Sequence, residues 1–466
     1  MTKTLLPMNI DNKTPNVKAL HIGFDDTDSI NGRCTTHLSY LISKMLINRF
    51  DVEFIDFPLL VRLNPNVPLK TRGNGAVCLR IKGKNYERII EEITQIVADY
   101  SELCDGANPG LAFYEEDNIS KDLLLFSKYA MDTILSKQLA IKIAKKNKIQ
   151  FHIFGKGYGI VGALSAIGCI LDSDHTFETI AYRSEENLGK DRKTNYLRVK
   201  RLSEESYPYT YNNFDQKNFR VLISPHGPDP VFCGIRGEDP LLTTFFLKNL
   251  CIEEELDGYM VFRSNQGTNL HLVKESIGID VKPYTAGYIN CEVATSPYTI
   301  NGGHVIFKIK DKFNFMLPVA VYQPTGLTKI ARKLAIGDKI EIGYGVHLKS
   351  NNQPTLNLEY LIVKELAKVL GITNPTCIKC KKNMKSEGSN KGYQCHICKT
   401  KIRSVEKVKI EKNREIRSGL YIPEPIAHRH LTKPFSRYGM EKRYDKFELI
   451  HMLKSIQWIK DSGGLI

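Results

Sequence analysis

The sequence predicts a multidomain α+β chain in which an α/β half is followed by a five-stranded OB-type β-barrel and a four-cysteine zinc ribbon. Three observations predict it. Apolar β runs alternate with amphipathic helical stretches up to about residue 282. From Pro283 onward short β runs take over. Near the C-terminus four of the cysteines gather as Cys377-x-x-Cys380 and Cys395-x-x-Cys398.

The first predicted strand, Leu20 to Phe24, ends in the acidic run Asp25-Asp26-Thr27-Asp28, and Asn31-Gly32 marks a turn. Leu38, Leu41, Ile42 and Leu46 share one face at helical spacing, which predicts a helix from Thr35. Strands are expected at Val52 to Val61 and Val77 to Ile81, and helices at Tyr86 to Val97 and, as one long element, Lys121 to Lys145. A second alternation opens with a strand at Phe151 to Phe154. It continues through Gly155, Gly157, Gly159 and Gly162 into a small-residue helix, Ile160 to Leu171. Strands at Thr179 to Tyr182, Phe219 to Ser224 and Tyr259 to Arg263 and a helix at Leu241 to Leu250 complete this half.

The barrel strands are expected at Gly287 to Ala294, His304 to Lys310, Leu317 to Tyr322, Lys339 to Val346 and Thr355 to Val363. A helical connection, Leu327 to Leu334, lies between the third and fourth, which is the OB order. The expected borders are 18–150 and 151–282 for the two α/β regions, 283–372 for the barrel and 373–406 for the ribbon. A basic C-terminal tail, 407–466, follows. There is no internal repeat and no low-complexity tract.

The chain has 466 residues, of which 42% are hydrophobic, enough for real cores. Its formal net charge of +15 suits a polyanionic partner, most often nucleic acid; a merely lysine-rich proteome gives the same number. No apolar run approaches the ~20 residues of a membrane span, and Met1 to Lys18 lacks the apolar centre of a signal peptide. There are 11 cysteines, an odd number, seven of them scattered. That usage predicts a reducing cytoplasm with one metal site rather than a disulfide framework.

Each cysteine pair supplies two thiolates from one tight turn, and two pairs close a tetrahedral structural Zn²⁺ site. His396 is a conceivable substitute ligand. Three carboxylates at a strand end repel one another. A hard cation such as Mg²⁺ carrying an ATP phosphate would neutralise Asp25, Asp26 and Asp28; helix capping is the other use of such residues. Thr35 and Thr36 sit where a helix begins, as phosphate-facing hydroxyls or as ordinary caps. Two basic glycine loops would let backbone N–H groups approach phosphates or simply turn the chain: Lys70 to Gly75, with Arg72, Gly73 and Gly75, and Gly155 to Gly159, with Lys156 and Gly157. Neither is a GxxxxGK[ST] loop. In the tail, Arg429, His430 and Lys433 are candidate RNA-phosphate contacts, and a solvated arm is the alternative.

Taken together, FDDTDS and CTT (Phe24 to Ser29, Cys34 to Thr36), TRGNGAV (Thr71 to Val77), NPG (Asn108 to Gly110) and GIVGALSAIG (Gly159 to Gly168) resemble the archaeal tRNA-isoleucine 2-agmatinylcytidine synthetases. So do GIRG (Gly234 to Gly237), SNQGTNLHL (Ser264 to Leu272), GGHVIF (Gly302 to Phe307), the ribbon and RHLTKP (Arg429 to Pro434). The resemblance implies a kinase-like domain over 18–150, a ferredoxin-like domain over 151–282, an OB fold and a zinc ribbon. It implies the substrates ATP, agmatine and an isoleucine tRNA, with ATP ending as AMP and phosphate. By position, Asp25, Asp26 and Asp28 would hold Mg²⁺ and ATP, and Thr35 matches the family's self-phosphorylated threonine. The chain departs from the expected pattern at Asn269 and Gln323, each an amide where a carboxylate is expected. The competing expectations are a non-catalytic OB and zinc-ribbon RNA-binding protein and an RNA kinase that uses no amine.

Overall fold

The computed structural model describes residues 17–68, 73–348, 354–403, 408–443 and 445–461. Lys70, Thr71 and Arg72 of the first glycine loop lie outside them. Two compact units result. One takes the described residues of Met1–Lys274, Tyr284–Gly287 and Pro425–Ile466; the other takes those of Glu275–Pro283 and Tyr288–Glu424.

In the first unit the apolar runs become β1 (Leu20–Asp25), β2 (Val52–Phe54), β3 (Leu59–Arg62), β4 (Gly75–Gly83), β5 (Gly110–Glu115) and β6 (Gln150–Ile153). They are followed by β7 (Thr176–Arg183), β8 (Thr210–Tyr211), β9 (Phe214–Asp215), β10 (Arg220–Val221), β11 (Val231–Gly237) and β12 (Leu256–Ser264). The helices are α1 (Thr35–Arg49), α2 (Tyr86–Tyr100), α3 (Lys121–Asp132), α4 (Lys137–Lys146), α5 (Ile160–Gly168), α6 (Tyr196–Glu205) and α7 (Pro240–Lys248). One mixed sheet runs β6-β5-β1-β4-β3-β12-β7-β11-β8. The two expected α/β regions share it, meeting where β3 runs parallel to β12, Leu59 beside Arg263.

Strand alternation explains the two cores. Val77, Leu79 and Ile81 of β4 point to the face covered by α1 and α2, whereas Ala76 and Cys78 point to the face covered by α3, α4 and α5. On the second face Arg80 is buried with its charge satisfied. Its guanidinium donates to the carbonyls of Ile167 and Cys169 at the end of α5, both at 2.9 Å, and to Nδ1 of His21 at 2.6 Å. This is the C-terminal helix chemistry that favours a cation.

Three expected elements are corrected. The single strand Val52 to Val61 is two strands, because Asp56 leaves the ladder to pair with buried Arg263 at 3.0 and 2.6 Å. The long helix from Lys121 breaks after Asp132, where Thr133 is extended, and restarts when the Ser136 hydroxyl caps Leu139 N–H at 3.2 Å. The strand expected at Phe219 to Ser224 shrinks to Arg220–Val221, since Asp215 folds the chain back onto the N–H groups of Lys217 and Asn218. The tail is not a loose arm throughout. A helix, Lys446–Ser455, packs Leu449 and Leu453 into the first core, and Ile459–Asp461 pairs with β12.

In the second unit β13 (Ala286–Val293), β15 (Val305–Lys310), β16 (Met316–Val321), β17 (Lys339–Leu348) and β18 (Pro354–Glu365) form a five-stranded barrel, closed by pairing of β13 with β15. The two-residue β14 (Tyr298–Thr299) adds to β15, and a short helix, Thr328–Ala331, sits between the third and fourth barrel strands as the sequence predicts. The core is apolar and mostly aliphatic, with Val305, Ile342 and Leu361 fully buried beside the aromatic Phe307. The Cys377–Cys380 turn is closed by a bridge between Thr376 and Asn383, and three two-residue strands follow, the last two joined by the Cys395–Cys398 turn. No helix among the described residues is long and apolar enough to cross a membrane.

Candidate active site and metal centre

The acidic run ends β1 against the first turn of α5, an approach that needs residues without side chains. A Cβ on Gly162 would lie 1.9 Å from Oδ2 of Asp25, and one on Gly159 would lie 2.4 Å from the Asp25 carbonyl oxygen. After Asp25 the chain turns through Asp26 at φ +58°, whose carbonyl accepts from Asn108 N–H at 3.1 Å. The NPG segment therefore holds the acidic corner from the β5 side.

Neither α1 nor α5 has a side-chain N-cap or an acidic residue in its first turn. Cys34, not an aspartate, is the N-cap of α1. The capping use of the acidic run is therefore not the one the fold makes. Two helix N-termini with N–H groups to spare face a common cavity of about 1090 Å³, which suits an anion such as phosphate. Asp25, Asp26, Asp28, Thr35 and Thr36 line it. The Thr35 hydroxyl accepts from Thr27 Oγ1 at 3.0 Å, which fixes it on the cavity wall. Burial, then the charges of Asp26 and Asp28, raise the Asp25 pKa well above the usual carboxylate range. Three carboxylates thus crowd a partly dry site, although their oxygens do not converge as the cysteine sulfurs of the ribbon do.

Across the cavity stands a second charged group that the sequence reading missed. Glu178, buried in β7, receives Arg236 at 3.0 Å, has Arg62 at 3.9 Å and also binds the side-chain amide of Gln266. Burial holds the Arg62 guanidinium below its ordinary pKa, with Glu178 opposing the shift. A glutamate inside the apolar run Thr176–Arg183 and arginines at strand ends were the available signals, since charge is buried only where it is paired. Lys137 and His428 also line the cavity.

The remaining expected residues divide. Gly73, Gly75, Arg429 and His430 line the same cavity. Arg429 donates to Asn66 Oδ1 at 3.0 Å and His430 Nδ1 meets Gln266 Oε1 at 3.0 Å. Lys156 and Gly157 sit in the turn before α5, outside the cavity lining. The Lys156 N–H donates to Asn108 and its carbonyl accepts from Lys137 Nζ at 2.9 Å, so Lys137 supplies the cation there. Lys433 is buried, its ammonium beside Glu441 and Asp174 rather than on an outer face. Asn269 holds the C-terminal segment: Oδ1 accepts from Lys433 N–H and its own N–H donates to the Leu431 carbonyl, both at 2.8 Å. A carboxylate would accept the same bond, so the amide forfeits no contact there. Gln323 is exposed in the second unit, where its N–H donates to Nδ1 of His304.

In the ribbon, Sγ atoms of Cys377, Cys380, Cys395 and Cys398 all lie within 4.8 Å of one another. Among the described residues this is the group of ligating side chains that converges as a metal site. The Thr400 hydroxyl, 3.1 Å from Cys398 Sγ, leads in pushing that thiol towards the thiolate a metal needs. His396 is exposed and outside the quartet. Four thiols fit tetrahedral zinc with no open position, which is a structural site.

Family models described as the TiaS TCKD domain, the TiaS FLD domain and the TiaS C-terminal zinc ribbon domain match residues 21–155, 157–271 and 374–416. The chain is 40% identical to the isoleucine-tRNA 2-agmatinylcytidine synthetase TiaS of Cenarchaeum symbiosum, over 91% of this chain and 94% of that one. It is 36% identical to the synthetase of Methanosarcina acetivorans, over 89% and 97%. Among solved structures it is similar to apo TiaS, with a TM-score of 0.81 and 33% identity over 92% and 99% of the two chains. It is similar to TiaS in complex with its isoleucine tRNA, AMPCPP and agmatine, with a TM-score of 0.77 and 31% identity over the same shares.

Proposed function

The chain belongs to the isoleucine-tRNA 2-agmatinylcytidine synthetase (TiaS) family, and we propose that it joins agmatine to C2 of the wobble cytidine of the AUA-decoding isoleucine tRNA. ATP and one water are consumed to AMP and two phosphates, one of which carries off the C2 oxygen, and the place of action is the cytoplasm. We further assign residues 18–150 as the kinase-like part, 151–282 as the ferredoxin-like part, 283–372 as the OB fold, 373–406 as a zinc-bearing ribbon and 407–466 as the basic C-terminal part.

The observation that carries the reading is the cavity in which Asp25, Asp26, Asp28 and Thr35 meet two uncapped helix N-termini. The C2 oxygen of cytidine is a poor leaving group. Transfer of a phosphoryl group to it makes phosphate the leaving group when an amine attacks C2. The N–H groups of α1 and α5 hold phosphate oxygens, and the Thr35 hydroxyl is the phosphoryl acceptor of the family's self-modification. Asp25, Asp26 and Asp28 would hold Mg²⁺, which supplies charge neutralisation to the phosphates. Arg62, Arg236 and Lys137 bring further positive charge to the wall. The wobble base must leave its stack to reach these groups. The barrel and ribbon then hold the tRNA through its phosphates.

Across the cavity from the acidic corner, buried Glu178 paired to two arginines adds charge that a non-catalytic RNA binder does not require. Incubation with ATP and the isoleucine tRNA, with and without agmatine, followed by mass analysis of the digested nucleosides, tests the reading. An agmatine-dependent mass gain at cytidine is expected. Phosphate transfer that ignores agmatine, or no change, overturns it.

A further inference from the structure

The start of α1 is fixed without using the N–H groups that a phosphate needs. An ordinary N-cap side chain accepts from the second or third N–H of its helix and so occupies a donor there. Here the N-cap residue Cys34 is extended, at φ −165° and ψ 130°, and its side chain makes no cap bond. Two tyrosines from other elements hold the turn by groups outside that set. Tyr100, the last residue of α2, accepts from the Cys34 N–H at 3.0 Å. Tyr182 of β7 donates to the Thr36 carbonyl at 2.9 Å. Thr35 stands between the two clamped groups, on the cavity wall. The Tyr100 hydroxyl is itself held, with His37 Nδ1 at 3.1 Å and the Cys34 carbonyl at 3.2 Å. The His37 ring packs among Tyr40, Tyr100 and Tyr182 at centroid distances of 6.1, 5.9 and 5.1 Å. Its Nε2 faces Asp257 of β12 at 3.7 Å. The Asp257 carboxyl is held below its ordinary value, by His37 first and then, against the opposing effect of burial, by Lys44. A carboxylate only accepts, so Nε2 carries a proton. In the neutral ring Nδ1 takes the hydroxyl proton; in the charged ring Nδ1 donates and the hydroxyl turns to the Cys34 carbonyl. Either way the tyrosine oxygen keeps the bond from the Cys34 N–H.

We propose that Tyr100 is a positioning residue of the phosphoryl-transfer step, with His37 and Asp257 as its support. It fixes the Cys34 backbone so that the Thr35 hydroxyl and the first N–H groups of α1 meet one phosphoryl group together. The proposal rests on the synthetase reading and adds to it the residues that hold the acceptor in place. Neither Tyr100 nor His37 belongs to the cavity lining, so both act through Cys34 rather than on substrate. The bond between Thr27 and Thr35 sets the direction of one hydroxyl, whereas Tyr100 sets the backbone that carries it. Helix ends fray, and an end whose own side chain makes no cap depends on such outside bonds. Tyr182 and Asp257 come from the second expected α/β region, so the phosphate corner of the first region is completed by the second. Loss of the Tyr100 bond leaves the Cys34 N–H without that acceptor and frees the first turn to shift. A shift approaching 1 Å at a reacting group costs on the order of 100-fold in rate.

The test compares the full-length chain with Tyr100→Phe, which removes one oxygen and keeps the ring. Agmatine incorporation into the isoleucine tRNA is resolved into kcat and KM, and transfer of label from γ-labelled ATP to the chain is followed without tRNA. A fall of about 10- to 100-fold in kcat and in labelling is expected, with KM for tRNA and agmatine within about two-fold of the wild type. His37→Asn, whose amide stands near the place of Nδ1 and can meet the hydroxyl, is expected to keep several times the kcat of His37→Leu. Where Tyr100→Phe melts early, the assay is run below its transition, so that folded chains are compared. Unchanged kcat in folded Tyr100→Phe overturns the proposal, as does a rise in KM for tRNA or agmatine that accounts for the whole loss. Equal activity of the two His37 variants overturns the role given to His37. A wild-type chain that makes no agmatine-dependent product is a separate outcome, which removes the synthetase reading and the proposal with it.

Discussion

Gly162→Ala probes the acidic corner with one methyl group. The new Cβ would stand 1.9 Å from Oδ2, 2.5 Å from Cγ and 2.8 Å from Cβ of Asp25. Ordinary contact begins at 3.4 Å, so the carboxylate must retreat by about 1.5 Å. Asp25 cannot retreat cheaply, because its own carbonyl already touches Gly159 and its strand is hydrogen-bonded on both sides. Overpacking of this kind costs about 1–3 kcal/mol. The same substitution inside a helix returns up to about 1 kcal/mol through helix propensity. Net destabilisation is therefore about 0–3 kcal/mol, too little to unfold a typical domain. Activity responds differently, since a displacement near 1 Å in a reacting assembly costs on the order of 100-fold. Thermal melting beside agmatine incorporation into the isoleucine tRNA separates the two effects. A variant that melts like the wild type and retains full activity refutes the reasoning that Asp25 needs this place.

Other perturbations follow from buried charge and metal. Arg437 is fully buried between Asp174, at 2.9 and 3.1 Å, and Glu238, so Arg437→Met leaves Asp174 with Lys433 at 4.0 Å and Glu238 with Lys442 at 2.9 Å as their remaining cations and costs about 3 kcal/mol, the low end for breaking a buried pair, read by urea titration. His21 and His175 are held neutral, burial first and neighbouring cations next lowering each pKa to about 3. Below the ordinary value of 6.5 the unfolded chain takes up protons that the folded chain refuses. Stability is therefore lost as pH falls from 6.5 towards 3, by about 1.4 kcal/mol per pH unit per histidine, or about 4 kcal/mol for the pair at pH 5. Chelation of zinc, or Cys377→Ser, is expected to raise proteolytic cleavage within the ribbon while leaving the barrel protected, measured by limited proteolysis.

What was legible in the sequence was local. Apolar periodicity located β1 and the start of α1 to within a residue, and the acidic run between them fell where a strand end meets a helix start. Paired cysteines located the ribbon because their spacing alone closes a site. Breaks set by distant partners were not legible. The interruption at Asp56 answers Arg263, more than two hundred residues away in β12, and no local pattern announces that pair. The wall of Arg62, Glu178 and Arg236 draws on three strands that only the sheet order brings together. The C-terminal residues read as an arm because they are basic and rich in proline. Their folding back depends on amide groups of Gln266 and Asn269 whose partners composition does not reveal.

The account stands on the acidic corner as the place where nucleotide and cation meet. Asp26→Asn with Asp28→Asn preserves shape and removes two charges. Mass analysis of tRNA nucleosides after incubation with ATP and agmatine should then find agmatine-modified cytidine reduced at least about 100-fold, in a chain whose melting is unchanged. Conversion at the wild-type rate by that folded variant would contradict it.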